Sequence, residues 1–150
     1  MVSQNIVHVR KAKKSDLPKI HEIADHCFKD PYPLQLLKQI RDANPEGFLA
    51  AEKNGKIVGY LIGMVRWEDT GHILAIAVDK EHRKEGVGRA LMEKIITLLE
   101  DNGASHIKRE VRIGNEGAQK FYRKIGFKPK RVVPEYYSDK EDAVTMEYQL

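Results

Sequence analysis

Cysteine is nearly missing from this chain: among 150 residues only Cys27 carries a thiol. One thiol excludes an internal disulfide and a cysteine-based metal cluster. No apolar run approaches the roughly 20 residues that span a bilayer. No signal-type hydrophobic region opens the chain either. A cytoplasmic location without a membrane partner is therefore expected. Charge of one sign is scarce too: 26 basic and 22 acidic residues leave +4, and the charges are interspersed, so no specific nucleic-acid partner is expected. The local excesses Lys108-Arg109 with Arg112, and Lys128-Pro129-Lys130-Arg131, could face an anionic ligand or water, and water is expected for most of them. Repeats, low-complexity tracts and linkers are lacking. The length suits one domain, read over residues 1–150, with a substantial core.

Several familiar motifs are also missing. His21-Glu22-Ile23-Ala24-Asp25-His26 looks like a zinc-protease helix, but its histidines stand five apart. Around a helix they diverge by about 140°, so they cannot share a face. They are read as surface residues, and no metal site is expected. No G-x-x-x-x-G-K-[ST] exists for a P-loop, and G-x-G alone does not make a dinucleotide fingerprint.

What the chain does have is a glycine bend between a strand and a helix. Ile73-Leu74-Ala75-Ile76-Ala77-Val78 reads as a buried strand. Arg83-Lys84-Glu85-Gly86-Val87-Gly88 follows, and then Val87, Leu91, Ile95, Leu98 and Leu99 recur at helical spacing. Glycines at such a turn let successive N–H groups converge on an anion, and the helix N-terminus adds partial positive charge. A phosphate, and more specifically a pyrophosphate, is the expected guest.

Upstream, Ile6 to Arg10 alternates as a first strand, and Ser15 is placed to cap a helix whose first turn holds Pro18. Pro31 and Pro33 separate that helix from a second, which ends before Asn44-Pro45. Gly47 to Glu52 and Ile57 to Val65 read as strands joined by the turn Lys53-Asn54-Gly55-Lys56. Gly71 to Val78 is the strand before the bend, Gly86 to Asp101 the helix after it, with Gly103 at its end. His106 to Ile113 alternates, with Ile107, Arg109, Val111 and Ile113 on one face and Lys108, Glu110 and Arg112 on the other. A short helix over Glu116 to Lys124 and two strands, Phe127 to Val133 and Asp142 to Gln149, complete the chain.

Arg83-x-x-Gly86-x-Gly88 resembles the acetyl-coenzyme A pyrophosphate loop of the GNAT superfamily of N-acetyltransferases. Asn115-Glu116-Gly117-Ala118-Gln119-Lys120-Phe121-Tyr122-Arg123-Lys124-Ile125-Gly126-Phe127 resembles the second signature of that superfamily, N-x-x-A-x-x-[LF]-Y-x-x-x-G-F. The element order βααβββαβαββ matches as well. The implied architecture is α/β: a mixed, mostly antiparallel sheet flanked by helices. Glu110-Val111-Arg112, Tyr136-Tyr137 and Glu141-Asp142-Ala143-x-x-Met146 narrow the resemblance to protein N-terminal acetyltransferases, of the RimI and the NatA and NatE catalytic-subunit types.

That resemblance implies acetyl-CoA as cosubstrate. Its contacts would be Ile76, Ala77 and Val78 on the strand, Arg83, Lys84, Glu85, Gly86, Val87, Gly88 and Arg89 at the bend, and Asn115 and Tyr122. A backbone N–H near Val78 would face the developing oxyanion. Glu110 would be the base and Tyr122 the acid, with Glu110 aided by a raised pKa or an intervening water. An α-amine, with a pKa of about 8, needs only a mild base, because roughly a tenth of it is neutral at pH 7. Phe28, Pro31, Tyr32, Tyr136 and Tyr137 would contact the substrate peptide.

Structural readings stand beside these roles. Glu110 could be a solvated carboxylate between Lys108 and Arg112, Tyr122 a packing residue, Asn115 a helix cap and the tyrosine pair exposed loop residues. Tyr60 and Trp67 are read as packing residues, and His72 as a surface or capping histidine. The expected partners are protein or peptide N-termini, with a ribosome or an auxiliary subunit left open. Acetylation of polyamines, aminoglycosides or lysine side chains, and a non-catalytic CoA-binding module, remain as alternatives.

Overall fold

The computed structural model describes residues 6–150, so residues 1–5 of the expected domain lie outside the described residues. The elements run β1 (His8–Lys11), α1 (Leu17–Cys27), α2 (Leu34–Ala43), β2 (Phe48–Lys53), β3 (Lys56–Arg66), β4 (Thr70–Val78), α3 (Val87–Asp101), β5 (His106–Arg112), α4 (Glu116–Ile125), β6 (Lys128–Val133) and β7 (Ala143–Gln149). This is the βααβββαβαββ order expected from the sequence. The strand order across the sheet is β1-β2-β3-β4-β5-β7-β6. The chain forms two compact units: the chain up to Met64 with Leu74–Leu98, and Val65–Ile73 with Leu99–Leu150.

In the first unit β1, β2 and β3 pair antiparallel. The β2–β3 turn places Asn54 and Gly55 at φ 54° and 76°, as a two-residue hairpin with right-handed strand twist requires. Leu17, Ile20, Ile23 and Ala24 of α1 and Leu37 of α2 are buried with Phe48, Ala50, Tyr60 and Ile62, a helical stripe on an alternating strand face. Tyr60 is thus the packing residue expected. Ser15, however, does not cap α1. It sits inside a 3-10 turn, Lys14–Asp16, and the neighbouring Asp16 accepts the Lys13 N–H at 2.7 Å and two bonds from Arg10 at 2.7 and 3.1 Å. With two charged oxygens, a carboxylate can grip a guanidinium bidentately and still accept an amide; a serine hydroxyl, with one neutral oxygen, offers no such fork.

In the second unit β5 runs parallel to β4 over Thr70↔His106, Gly71↔Ile107 and His72↔Lys108. It runs antiparallel to β7, which pairs with β6 in turn. Ile107, Arg109 and Val111 share a face with Tyr148, Met146 and Val144. On that side Tyr122 of α4 reaches Phe127 at a ring distance of 5.3 Å, and Phe127 reaches Tyr148 at 5.4 Å. Lys108, Glu110 and Arg112 stand on the opposite face with Glu147, Thr145 and Ala143. Ile113, read as continuing the Ile107–Arg109–Val111 face, lies past the end of β5 and is 44% exposed. The edge strand β6 keeps Lys128, Lys130 and Arg131 in solvent, as expected. Charge and proline are common devices for blocking an open sheet edge.

Candidate active site

The glycine bend is open. Arg83, Lys84, Glu85 and Gly86 are exposed, Gly88 is half-buried and Val87 is buried as the first apolar residue of α3. Lys84 and Gly86 take φ of 65° and 84°, so the chain turns sharply twice before the helix. A Cβ built on Gly86 meets no atom of the described residues within 4 Å. The first helical bond runs from Ala90 N–H to Gly86 O at 3.0 Å, and the preceding helical amides have no partner within the helix. Glu85 is tied to Lys53 at 2.7 Å and His82 at 3.1 Å, bonds that hold its carboxyl below its ordinary pKa and pin one side of the loop. Arg83 lies back on Val78 O and Cys27 Sγ, both at 3.4 Å. β3 closes up beside this segment at Gly59, where a Cβ would stand 2.9 Å from Ala77 O and 3.0 Å from Val87 Cγ1. Open glycine, free helix amides and flanking cations suit a pyrophosphate.

Glu110 is no solvated carboxylate. It is 6% exposed, with Oε1 2.7 Å from His72 Nε2 and Oε2 3.0 Å from Lys108 Nζ. His72 Nδ1 stands 3.0 Å from Arg66 Nη1. A guanidinium can only donate, so Nδ1 accepts and Nε2 carries the hydrogen given to Glu110. Burial alone would raise the Glu110 pKa, but the His72 and Lys108 hydrogen bonds outweigh it and hold it at about 2. This corrects one expected route: the environment does not raise the carboxyl's pKa. It keeps it ionised.

Three further expectations change here. His72, read as a surface or capping residue, is 7% exposed and faces Glu110. Its signal lies in the parallel register His72↔Lys108, which places it beside the 108–110 face and has no local signature. Trp67, read as packing, is 61% exposed in the β3–β4 turn at φ 51°, with Arg66 Cζ and Lys108 Nζ each 4.9 Å from its ring. Lys108, Arg109 and Arg112 do not face mainly water: each holds a partner inside the unit.

Tyr122 is 2% exposed and packs edge-to-face on Phe121 and Phe127. Its phenol oxygen accepts a 3.2 Å bond from Arg109 Nε, and Arg109 Nη1 reaches Ile73 O at 3.2 Å. Asn115 caps α4, its Oδ1 accepting from Ala118 N at 3.0 Å. Tyr136 is 47% exposed and Tyr137 half-buried, with their rings 5.0 Å apart. Arg112 Cζ lies 4.0 Å over the Tyr137 ring, and Arg112 Nη1 binds Asp139 at 3.0 Å and Glu141 at 2.8 Å. Burial pushes the Tyr137 phenol up, and the Glu110 charge adds to the rise. In the first unit, Phe28 and Tyr32 pack on the core between α1 and α2, with Pro31 half-buried beside them. Among the described residues no three His, Cys, Asp or Glu side chains cluster as metal ligands. No helix there is long and apolar enough to cross a membrane.

Element order and open glycine bend together define a GNAT-fold acyltransferase. The chain belongs to the acetyltransferase (GNAT) family, whose model matches residues 17–127. It is 37% identical over 139 residues to an uncharacterized N-acetyltransferase of Methanocaldococcus jannaschii, covering 92% of this chain and 88% of the relative. It is 29% identical over 150 residues to an N-alpha-acetyltransferase of Sulfurisphaera tokodaii, with 92% and 90% covered. Among solved structures it is similar to Ard1 from Thermoplasma volcanium, with a TM-score of 0.91, 30% identity, and 96% and 97% of the two chains covered.

Proposed function

We propose that this acetyltransferase acts as one catalytic domain and acetylates the N-terminal α-amine of proteins, with acetyl-CoA as donor. The observation that carries the reading is a buried, ionised Glu110, held by His72 and Lys108. The relative named for α-amine acetylation supports the same substrate class.

Acetyl-CoA supplies an acetyl group activated as a thioester. The α3 amides and the bend from Arg83 to Arg89 bind the diphosphate, with Ile76, Ala77 and Val78 aligning the chain beside it through β4 backbone groups. Asn115, whose Oδ1 is committed to its helix, offers its NH₂ to the coenzyme. Glu110 attracts the amine and orients it. About a tenth of α-amines are neutral at pH 7, so no strong base is needed at the outset. The nitrogen becomes far more acidic once its lone pair enters the new C–N bond. A weakly basic carboxylate can then accept its proton through water. His72, with its tautomer fixed by Arg66, positions that carboxylate. Tyr122 accepts from Arg109, so its own proton is free for the departing sulfur. Tyr136 and Tyr137 contact the peptide backbone, and Phe28, Pro31 and Tyr32 are further peptide contacts.

Thiol release from acetyl-CoA, measured with a panel of N-terminal peptides, polyamines, aminoglycosides and no acceptor, tests the reading. Release with free-N-terminus peptides and none with α-blocked ones is expected. Release only with small amines would overturn it, and none with any acceptor would point to a CoA-binding module. Ribosomal-protein N-termini in the panel, with and without cell extract, address the finer questions of substrate and auxiliary subunit.

A further inference from the structure

Thr145 is the residue that this chemistry leaves without a task. It is 1% exposed. Among the described residues its Oγ1 is the buried side-chain polar atom with no hydrogen-bond partner. A hydroxyl kept out of water and unmet is destabilising, and valine has nearly its shape without that cost. The register explains what the hydroxyl is near. Thr145 is the direct cross-strand partner of Glu110, so the two side chains stand on one face with Cβ atoms about 4.5–5.5 Å apart.

The hydrogen-bond capacities fit as well. A carboxylate offers about four acceptor positions; His72 occupies one on Oε1 and Lys108 one on Oε2. The flanking partner on one side, Ala143, has no side-chain polar group to compete. A threonine hydroxyl has one hydrogen to give and two lone pairs.

We propose that Thr145 is a positioning residue for amine deprotonation: its hydroxyl and the Glu110 carboxylate together seat the water through which the amine's proton leaves. This rests on the α-amine acetyltransferase reading. An N–H bond breaks as an O–H bond forms on the water. The water's own proton passes to Glu110, and the electron pair released stays on nitrogen, which becomes the neutral amide. The charged or titratable groups around the carboxylate include His72 on β4, with Arg66 of β3 behind it, Lys108, Arg109 and Arg112 on β5, Glu147 on β7 and Tyr137 in the β6–β7 loop, and Thr145 variants leave all of them in place.

Thr145→Val, Thr145→Ala and Thr145→Ser are compared by thermal melting and by kcat and KM across pH. Thr145→Val is expected to lower kcat about ten-fold or more, shift the rising limb of the kcat–pH profile upward, leave peptide KM nearly unchanged and keep or raise Tm. Thr145→Ser restores most of kcat. Thr145→Val with wild-type kcat and pH profile overturns the inference, and so does Thr145→Ser as impaired as Thr145→Val. If Thr145→Val does not fold, Thr145→Ala against Thr145→Ser decides by the same criteria. A wild type inactive on every N-terminal peptide would instead sink the functional reading; an active wild type matched by Thr145→Val sinks only this inference.

Discussion

Replacing Glu110 with glutamine removes one charge while keeping the side chain's shape and an acceptor for the His72 N–H. The carboxyl titrates at about 2 in the folded chain against an ordinary 4.5. The difference of about 2.5 units, at roughly 1.4 kcal/mol each, is worth about 3 kcal/mol. The folded value lies below the unfolded one, so this contribution is present in full above pH ~4.5. It drains away as pH falls towards ~2. Glutamine has no such linkage. Urea unfolding of wild type and Glu110→Gln, followed by circular dichroism at a series of pH values, should give stabilities that differ by about 3 kcal/mol more at pH 7 than near pH 2. Most of the convergence falls below pH ~4.5. Whatever fixed cost the amide brings beside Lys108 cancels in that comparison, provided the denaturant slopes match. A gap that stays constant from pH 7 to pH 3 would refute the argument that His72 and Lys108 hold the carboxylate ionised.

Tyr122→Phe should melt near the wild type, since the ring still packs on Phe121 and Phe127, yet lose about 100-fold in kcat by thiol release. Gly86→Ala meets no steric obstacle but must hold φ 84°, so it should cost about 1 kcal/mol of stability and weaken acetyl-CoA binding by calorimetry. Arg112→Ala removes the ties to Asp139, Glu141 and the Tyr137 ring. It should raise peptide KM more than it lowers kcat, with faster hydrogen exchange over residues 134–142.

Local physics made much of this molecule readable. Asn54-Gly55 forms the expected hairpin turn, Asn115 caps α4, and Gly86 takes the left-handed conformation its place in the bend demanded. These signals lie within a few residues of their effect. What escaped depends on pairing across the chain. His72 meets Glu110 only because β4 and β5 are parallel in one particular register, 38 residues apart. Thr145 is opposed to that same carboxylate by the β5–β7 ladder. Ser15 does not cap α1 because the chain enters that helix through the 3-10 turn Lys14–Asp16, where Asp16 takes the Lys13 amide and Arg10, on β1, reaches it. Trp67 looked like core by residue type, yet the β3–β4 turn leaves it in solvent between two cations. The direction of the Glu110 pKa followed the same rule: its local neighbours argued for solvation, and a histidine from another strand settled the charge.

One peptide carrying both a free N-terminus and an internal lysine, incubated with acetyl-CoA at pH 7 and sequenced by fragmentation mass spectrometry, poses the central question directly. The difference in neutral fraction alone favours the α-amine by roughly two hundred-fold. Acetyl on the α-nitrogen in at least that excess, abolished in Glu110→Gln, is the predicted outcome. Acetyl on the lysine in comparable amount, or an unmodified peptide beside intact acetyl-CoA, would contradict the assignment.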